Sequence, residues 1–65
     1  MKEDLYPIYR YFAYKHLPEK LQSISEPVAK LAEMMLYNVP EGAEKAAGFR
    51  KLLEAKDCFV RASLK

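Results

Sequence analysis

The sequence predicts an all-α fold: an antiparallel two-helix hairpin preceded by a short aromatic N-terminal arm. Three observations carry that expectation. Leu21, Ile24, Val28, Leu31 and Met35 recur at spacings of three and four, which lays one apolar seam along a helix. Asn38-Val39-Pro40-Glu41-Gly42 concentrates residues that end helices and form turns. Beyond it, Ala46, Phe49, Leu53 and Val60 make a second helical stripe.

Taken in order, residues 1 to 16 form the arm, where Tyr6, Tyr9, Tyr11, Phe12 and Tyr14 crowd one stretch and Pro7 opposes an uninterrupted helix. The alternation of Tyr9, Tyr11 and Ala13 suits a short extended segment. Two uses for the rings stay open: cover for the helix pair or a subunit contact, and stacking on a planar ligand.

The first helix is expected over residues 18 to 38. Pro18 is acceptable at a helix start, and the Glu19 carboxylate interacts favourably with the unpaired amides there. Pro27 removes a hydrogen bond and clashes with the carbonyl four residues before it, so a kink or restart is expected near 25 to 27, with Ser23 or Ser25 capping the new amides. Asn38 is placed to cap the helix or turn left-handed.

The second helix is expected over residues 41 to 64. Leu52, Ala55, Phe59 and Ala62 form a stripe beside the first, giving an apolar arc wider than one partner helix buries. One face packs within the chain and the other is expected to pack against a second copy. Glu54 and Asp57 should stay wet, and Gly48 is a position where another backbone can approach closely. Nothing resembling a repeat or linker divides residues 1 to 65, so one domain is expected.

Size supports the oligomer. A chain of 65 residues recovers only about 60% of its unfolded surface on folding. With a single cysteine, Cys58, and no metal-spaced ligand cluster, neither a disulfide nor a zinc ion staples the fold, which leaves self-association as the common remedy. The hydrophobic share of 51% and charged share of 31% argue for a folded chain over a disordered one. A net charge of +2 is too small for a general footprint on long nucleic acid. No window approaches the roughly 18 apolar residues of a membrane span, which makes a cytoplasmic location the default.

Catalytic chemistry is not expected. His16 is the only histidine and Cys58 has no base near it in sequence; phosphate loops, zinc-hydrolase pairs and nucleotide fingerprints are missing. No metal and no cofactor are expected. Binding chemistry is easier to assemble: Tyr14, Lys15, His16 and Lys20 bracket the first helix start with a stacking ring and cationic donors suited to phosphate. Lys45, Lys56 and Arg61 form a second basic set, which symmetry would repeat around an oligomer axis.

Phe12-Ala13-Tyr14-Lys15-His16, Ala29-Lys30-Leu31-Ala32 and above all the run from Ala43 to Asp57, with its Lys51-Leu52-Leu53-Glu54-Ala55 core, resemble the small phage hairpin proteins typified by the anti-CBASS and anti-Thoeris sponges. The resemblance covers about residues 12 to 64. It implies a non-enzymatic homo-oligomer, often a hexamer, that sequesters cyclic di- or trinucleotides or cyclic ADP-ribose-type signals in the host cytoplasm and so counters anti-phage defence. It further implies that Tyr14, within Tyr14-Lys15-His16-Leu17, stacks on a base, with Lys15 in place of an arginine. The family's lysine on the first helix falls near Val28, and the arginine opening the second falls at Ala43. Lys20 or Lys45 would then supply the charge from a neighbouring turn. The ligand-binding set expected is Tyr14, Lys15, Lys20 and Lys45. The competing reading is a structural or protein-binding helical oligomerisation module without a nucleotide ligand.

Overall fold

The computed structural model describes residues 2–64. Its elements are two 3-10 helices, Lys2–Leu5 and Pro7–Phe12, followed by α1 (Glu19–Asn38) and α2 (Ala43–Ser63). No strand occurs among the described residues. The two long helices pack against each other, and the second 3-10 helix packs on both.

The arm corrects the expectation of an extended segment. Tyr6 N–H donates to the Glu3 carbonyl (3.2 Å), Tyr9 N–H to Tyr6 (2.8 Å) and Ala13 N–H to Arg10 (3.3 Å). Pro7 opens the second 3-10 helix, where its missing N–H costs nothing. Three residues per turn put Tyr6, Tyr9 and Phe12 on one side, and all three rings meet Phe49 of α2 at centroid distances of 5.2, 5.8 and 6.2 Å, edge to face. Tyr6, Phe12, Ala32, Leu36 and Phe49 form the core, so the arm completes the hairpin's hydrophobic centre.

In α1 the expected break near 25 to 27 is absent: the helix is continuous with Pro27 inside it. Ser23 Oγ donates to the Lys20 carbonyl (2.8 Å), and Ser25 Oγ is buried without a partner, so neither serine caps a restart. Packing on both sides of Pro27 overrides the local penalty: Ser25 and Ala32 are wholly buried, and Val28 and Ala29 pack on the core. The seam is also turned from its expected position. Leu31 is 43% exposed, while Ala32 and Leu36 are fully buried. The physical reason is the arm, because α1 must face its bulky rings as well as α2, and small Ala29 and Ala32 leave room for them.

The turn is built as its residues suggest. Asn38 Nδ2 donates to the Met34 carbonyl (2.7 Å) and so caps the end of α1 with its side chain. Gly42 has φ 155°, a conformation reserved for glycine, and α2 begins after it, at Ala43 instead of residue 41. Leu52 packs on the core beside Leu53, correcting its assignment to an outward stripe, whereas Phe59 is 59% exposed. Glu54 is exposed as expected, but Asp57 is half-buried beside Lys56. A Cβ on Gly48 would meet nothing within 4 Å, so no backbone closely approaches it within the chain.

Candidate functional site: an aromatic and cationic cleft on the arm

The cationic side chains divide by what their nitrogens touch. Lys45 is buried on the first turns of α2, and its Nζ donates to the Leu36 and Val39 carbonyls (both 2.7 Å) and to Glu41 Oε1. These bonds saturate the ammonium and cap the C-terminal end of α1, where the last carbonyls lack helical partners. The Tyr6 ring lies 5.2 Å away. Glu41 also accepts from Lys2 Nζ (3.2 Å) and from the Tyr6 hydroxyl (3.3 Å), which in turn accepts the Gly42 amide (3.3 Å). Hydrogen bonds from Lys45 and then Lys2 hold the Glu41 carboxyl below its ordinary pKa. Lys45 is therefore the knot between arm, turn and helices, which corrects its expected role as a ligand-binding charge.

Lys56, also buried, stands three turns further along α2. Its Nζ donates to the Tyr11 carbonyl (2.9 Å), near the end of the second 3-10 helix, and lies 3.8 Å from Asp57. The expected ring of Lys45, Lys56 and Arg61 thus has two members directed inward.

A different arrangement lies where the arm meets the outer side of α1. A cleft of about 650 Å³ is lined by Tyr9, Arg10, Tyr14, Lys15, Lys30 and Glu33, together with Phe12, Ala13, His16 and Ala29. Two sequence-predicted residues, Tyr14 and Lys15, fall in it. Lys20 lies outside it, exposed on the first turn of α1, and Lys45 is in the knot. Among the described residues no hydrogen-bond or ion-pair partner is found for the side chains of Lys15, Lys20 or Lys30.

Local contacts hold the cleft wall in place. Leu17 N–H donates to the Tyr14 carbonyl (3.0 Å), closing a turn over 14 to 17. Gln22 Nε2 on α1 binds the Lys15 and Leu17 carbonyls (3.2 and 2.7 Å), docking that turn on the helix. The Tyr14 hydroxyl donates to Glu26 Oε2 (3.3 Å), fixing one end of the ring. Arg10 is poised over the Tyr11 ring at 5.0 Å and donates to its hydroxyl (3.0 Å), leaving further guanidinium N–H groups available.

Arg10 and Lys30 are the cleft residues that sequence reasoning passed over. Twenty positions separate them, and only the docking of arm on α1 brings them together. Lys30 also bears on the missing family lysine: Val28 packs on the core, while Lys30, two residues on, lines the cleft.

The cleft is suited to binding rather than proton transfer. Burial, then the nearby Glu33 and Glu3 carboxylates, raise the Tyr9 hydroxyl above its ordinary pKa, and the hydrogen bond to Glu3 raises Tyr37. Both phenols therefore stay protonated at neutral pH. Cys58 is exposed on α2 with Arg61 Nη2 at 3.4 Å, and does not line the cleft. Among the described residues no group of three or more His, Cys, Asp or Glu side chains is placed to hold a metal ion. No helix there is long and apolar enough to cross a membrane. No family model, curated protein or solved structure matches the chain.

Proposed function

We propose that this protein binds a cyclic di- or trinucleotide or a cyclic ADP-ribose-type signal in the arm cleft and withholds it, uncut, from its receptors. By the resemblance of its residues to the phage sponges, the role is to counter host anti-phage defence, in the cytoplasm and as a homo-oligomer, with a hexamer as the working expectation. The observation that carries the reading is the convergence of Tyr14 and Lys15 with Arg10 and Lys30 in one cleft of about 650 Å³, within the usual range of roughly 300–1,000 Å³ for small-molecule sites. A docked tyrosine offers a stacking face worth about 1–3 kcal/mol per base. Lysine and arginine beside it offer charge-assisted hydrogen bonds to phosphate. Lacking a nucleophile or tuned base at the cleft, the chain acts by occupancy and not by turnover.

Native mass spectrometry against a panel of cyclic di- and trinucleotides and cyclic ADP-ribose isomers tests this directly. The expected result is a ligand-loaded oligomer whose ligand returns at unchanged mass after heat denaturation. Absence of binding across the panel, or progressive loss of ligand mass, contradicts it.

A second reading, a protein-binding or structural helical module, is favoured by other residues. Leu31, Met34 and Tyr37 on α1 are 43–55% exposed, and Phe59 and Leu64 near the chain's end are more exposed still. Substituting Phe59→Glu separates the alternatives. The oligomer should dissociate if Phe59 packs between copies, and its survival would assign assembly to another face.

A further inference from the structure

A second cleft, of about 470 Å³, adjoins the first and shares Arg10, Ala13 and His16 with it. We infer that the two clefts form one bipartite groove that takes a cyclic dinucleotide across a single chain, one base in each cleft and the phosphates on the Arg10–His16 ridge. This deepens the proposed function and rests on it, while choosing among its ligand classes.

The ridge has the chemistry a phosphate pair needs. Arg10 is held there by the Tyr11 ring and hydroxyl, so its guanidinium is oriented before a ligand arrives. His16 is exposed beside it, and the small side chain of Ala13 keeps the crest between the clefts low. On either side the lining changes to what a base needs. The first cleft offers Tyr9 and Tyr14; the second offers Tyr11, 53% exposed, with Leu17 and Leu53. Phosphates toward the centre and planar faces on both flanks match a molecule with a doubly anionic middle and two bases. Cyclic ADP-ribose and cyclic mononucleotides carry one base and would leave a cleft unfilled.

Each cleft also contains one carboxylate, Glu33 in the first and Asp57 in the second. A carboxylate repels phosphate but accepts hydrogen bonds from a base edge rich in N–H donors. Guanine presents such an edge with its ring N–H and exocyclic amine side by side, a bidentate match to two carboxylate oxygens. Two carboxylates flanking a cationic ridge therefore orient the ligand as well as select it. Asp57 lies 3.8 Å from Lys56 Nζ, which keeps a positive charge beside it without occupying both oxygens.

The test is calorimetric titration of the full chain with cyclic di-guanylate, cyclic guanosine monophosphate and cyclic ADP-ribose. Cyclic di-guanylate should bind at least about tenfold tighter than either one-base ligand, given that a bidentate base contact is worth roughly 1–3 kcal/mol. Asp57→Asn and Asp57→Leu, each checked for intact helix by circular dichroism, should weaken cyclic di-guanylate about tenfold on the same grounds and leave the one-base ligands unchanged. Equal affinity for cyclic guanosine monophosphate and cyclic di-guanylate, or indifference of the latter to both Asp57 variants, overturns the bipartite groove while leaving a single-cleft sponge standing. Failure of all three ligands to bind the parent protein overturns the groove and, once the wider panel also fails, the sponge with it.

Discussion

The knot around Lys45 and the cleft around Lys15 are made of the same residue types, tyrosines, lysines and glutamates, and they use them in opposite ways. In the knot each donor meets an acceptor: Lys45 holds two carbonyls and Glu41, and Tyr6 both donates to Glu41 and accepts from Gly42. In the cleft Lys15 and Lys30 face open volume with no partner among the described residues. A saturated cation stabilises a fold, whereas an unsaturated one beside aromatic rings is available to an anion. Buried Lys56 follows the knot's pattern, holding Tyr11's carbonyl as Lys45 holds those of Leu36 and Val39.

The sharpest way to break this comparison is to remove what both regions rest on. Phe49 is 2% exposed and touches the rings of Tyr6, Tyr9 and Phe12. Phe49→Ala should lower stability by about 3–5 kcal/mol, read by urea denaturation, and should loosen the arm enough to abolish ligand binding. A loss below about 1 kcal/mol would mean that the arm is not part of the core.

Next in size is the knot itself. Lys45→Ala leaves two carbonyls at the end of α1 without their donor and should cost about 1–3 kcal/mol. Lys30→Ala in the cleft should change stability by no more than about 0.5 kcal/mol and weaken ligand retention. Similar stability losses for the two lysines would erase the distinction drawn between them.

A subtler effect is set by pH. Because Glu41 has a depressed pKa in the folded chain, its contribution is present above the unfolded carboxyl value of 4.5 and is lost as pH falls through the lower folded value. Acid melts should show a decline in that window which Glu41→Gln lacks; an unchanged acid profile in the variant would remove Glu41 from the account.

How much of this was legible in the sequence differs between the regions. The hairpin was readable because spacings of three and four act locally, and the turn because Pro40 and Gly42 constrain their own backbones. The arm was misread: Tyr9, Tyr11 and Ala13 alternate like a strand, while the spacing of Tyr6, Tyr9 and Phe12 by three, the actual period, competes with them. Pro27 signalled a break that packing of Ser25, Val28 and Ala32 overrides. In the cleft, Tyr14 and Lys15 are adjacent and could be read together, whereas Arg10 and Lys30 meet only through tertiary packing. Lys45 and Glu41 have visible helical spacing, yet the carbonyls that bury Lys45 belong to another helix. The family resemblance carried the nucleotide class of ligand and still rests on the residues that suggested it.

Heteronuclear NMR of the lysine ammonium groups, followed while cyclic di-guanylate is added, tests the central contrast in one experiment. The account predicts that the Nζ signals of Lys45 and Lys56 are protected from solvent exchange and hold their positions, while those of Lys15 and Lys30 exchange rapidly and shift as the ligand binds. Movement of Lys45 with the ligand, or a ligand that binds without disturbing Lys15 and Lys30, would contradict it.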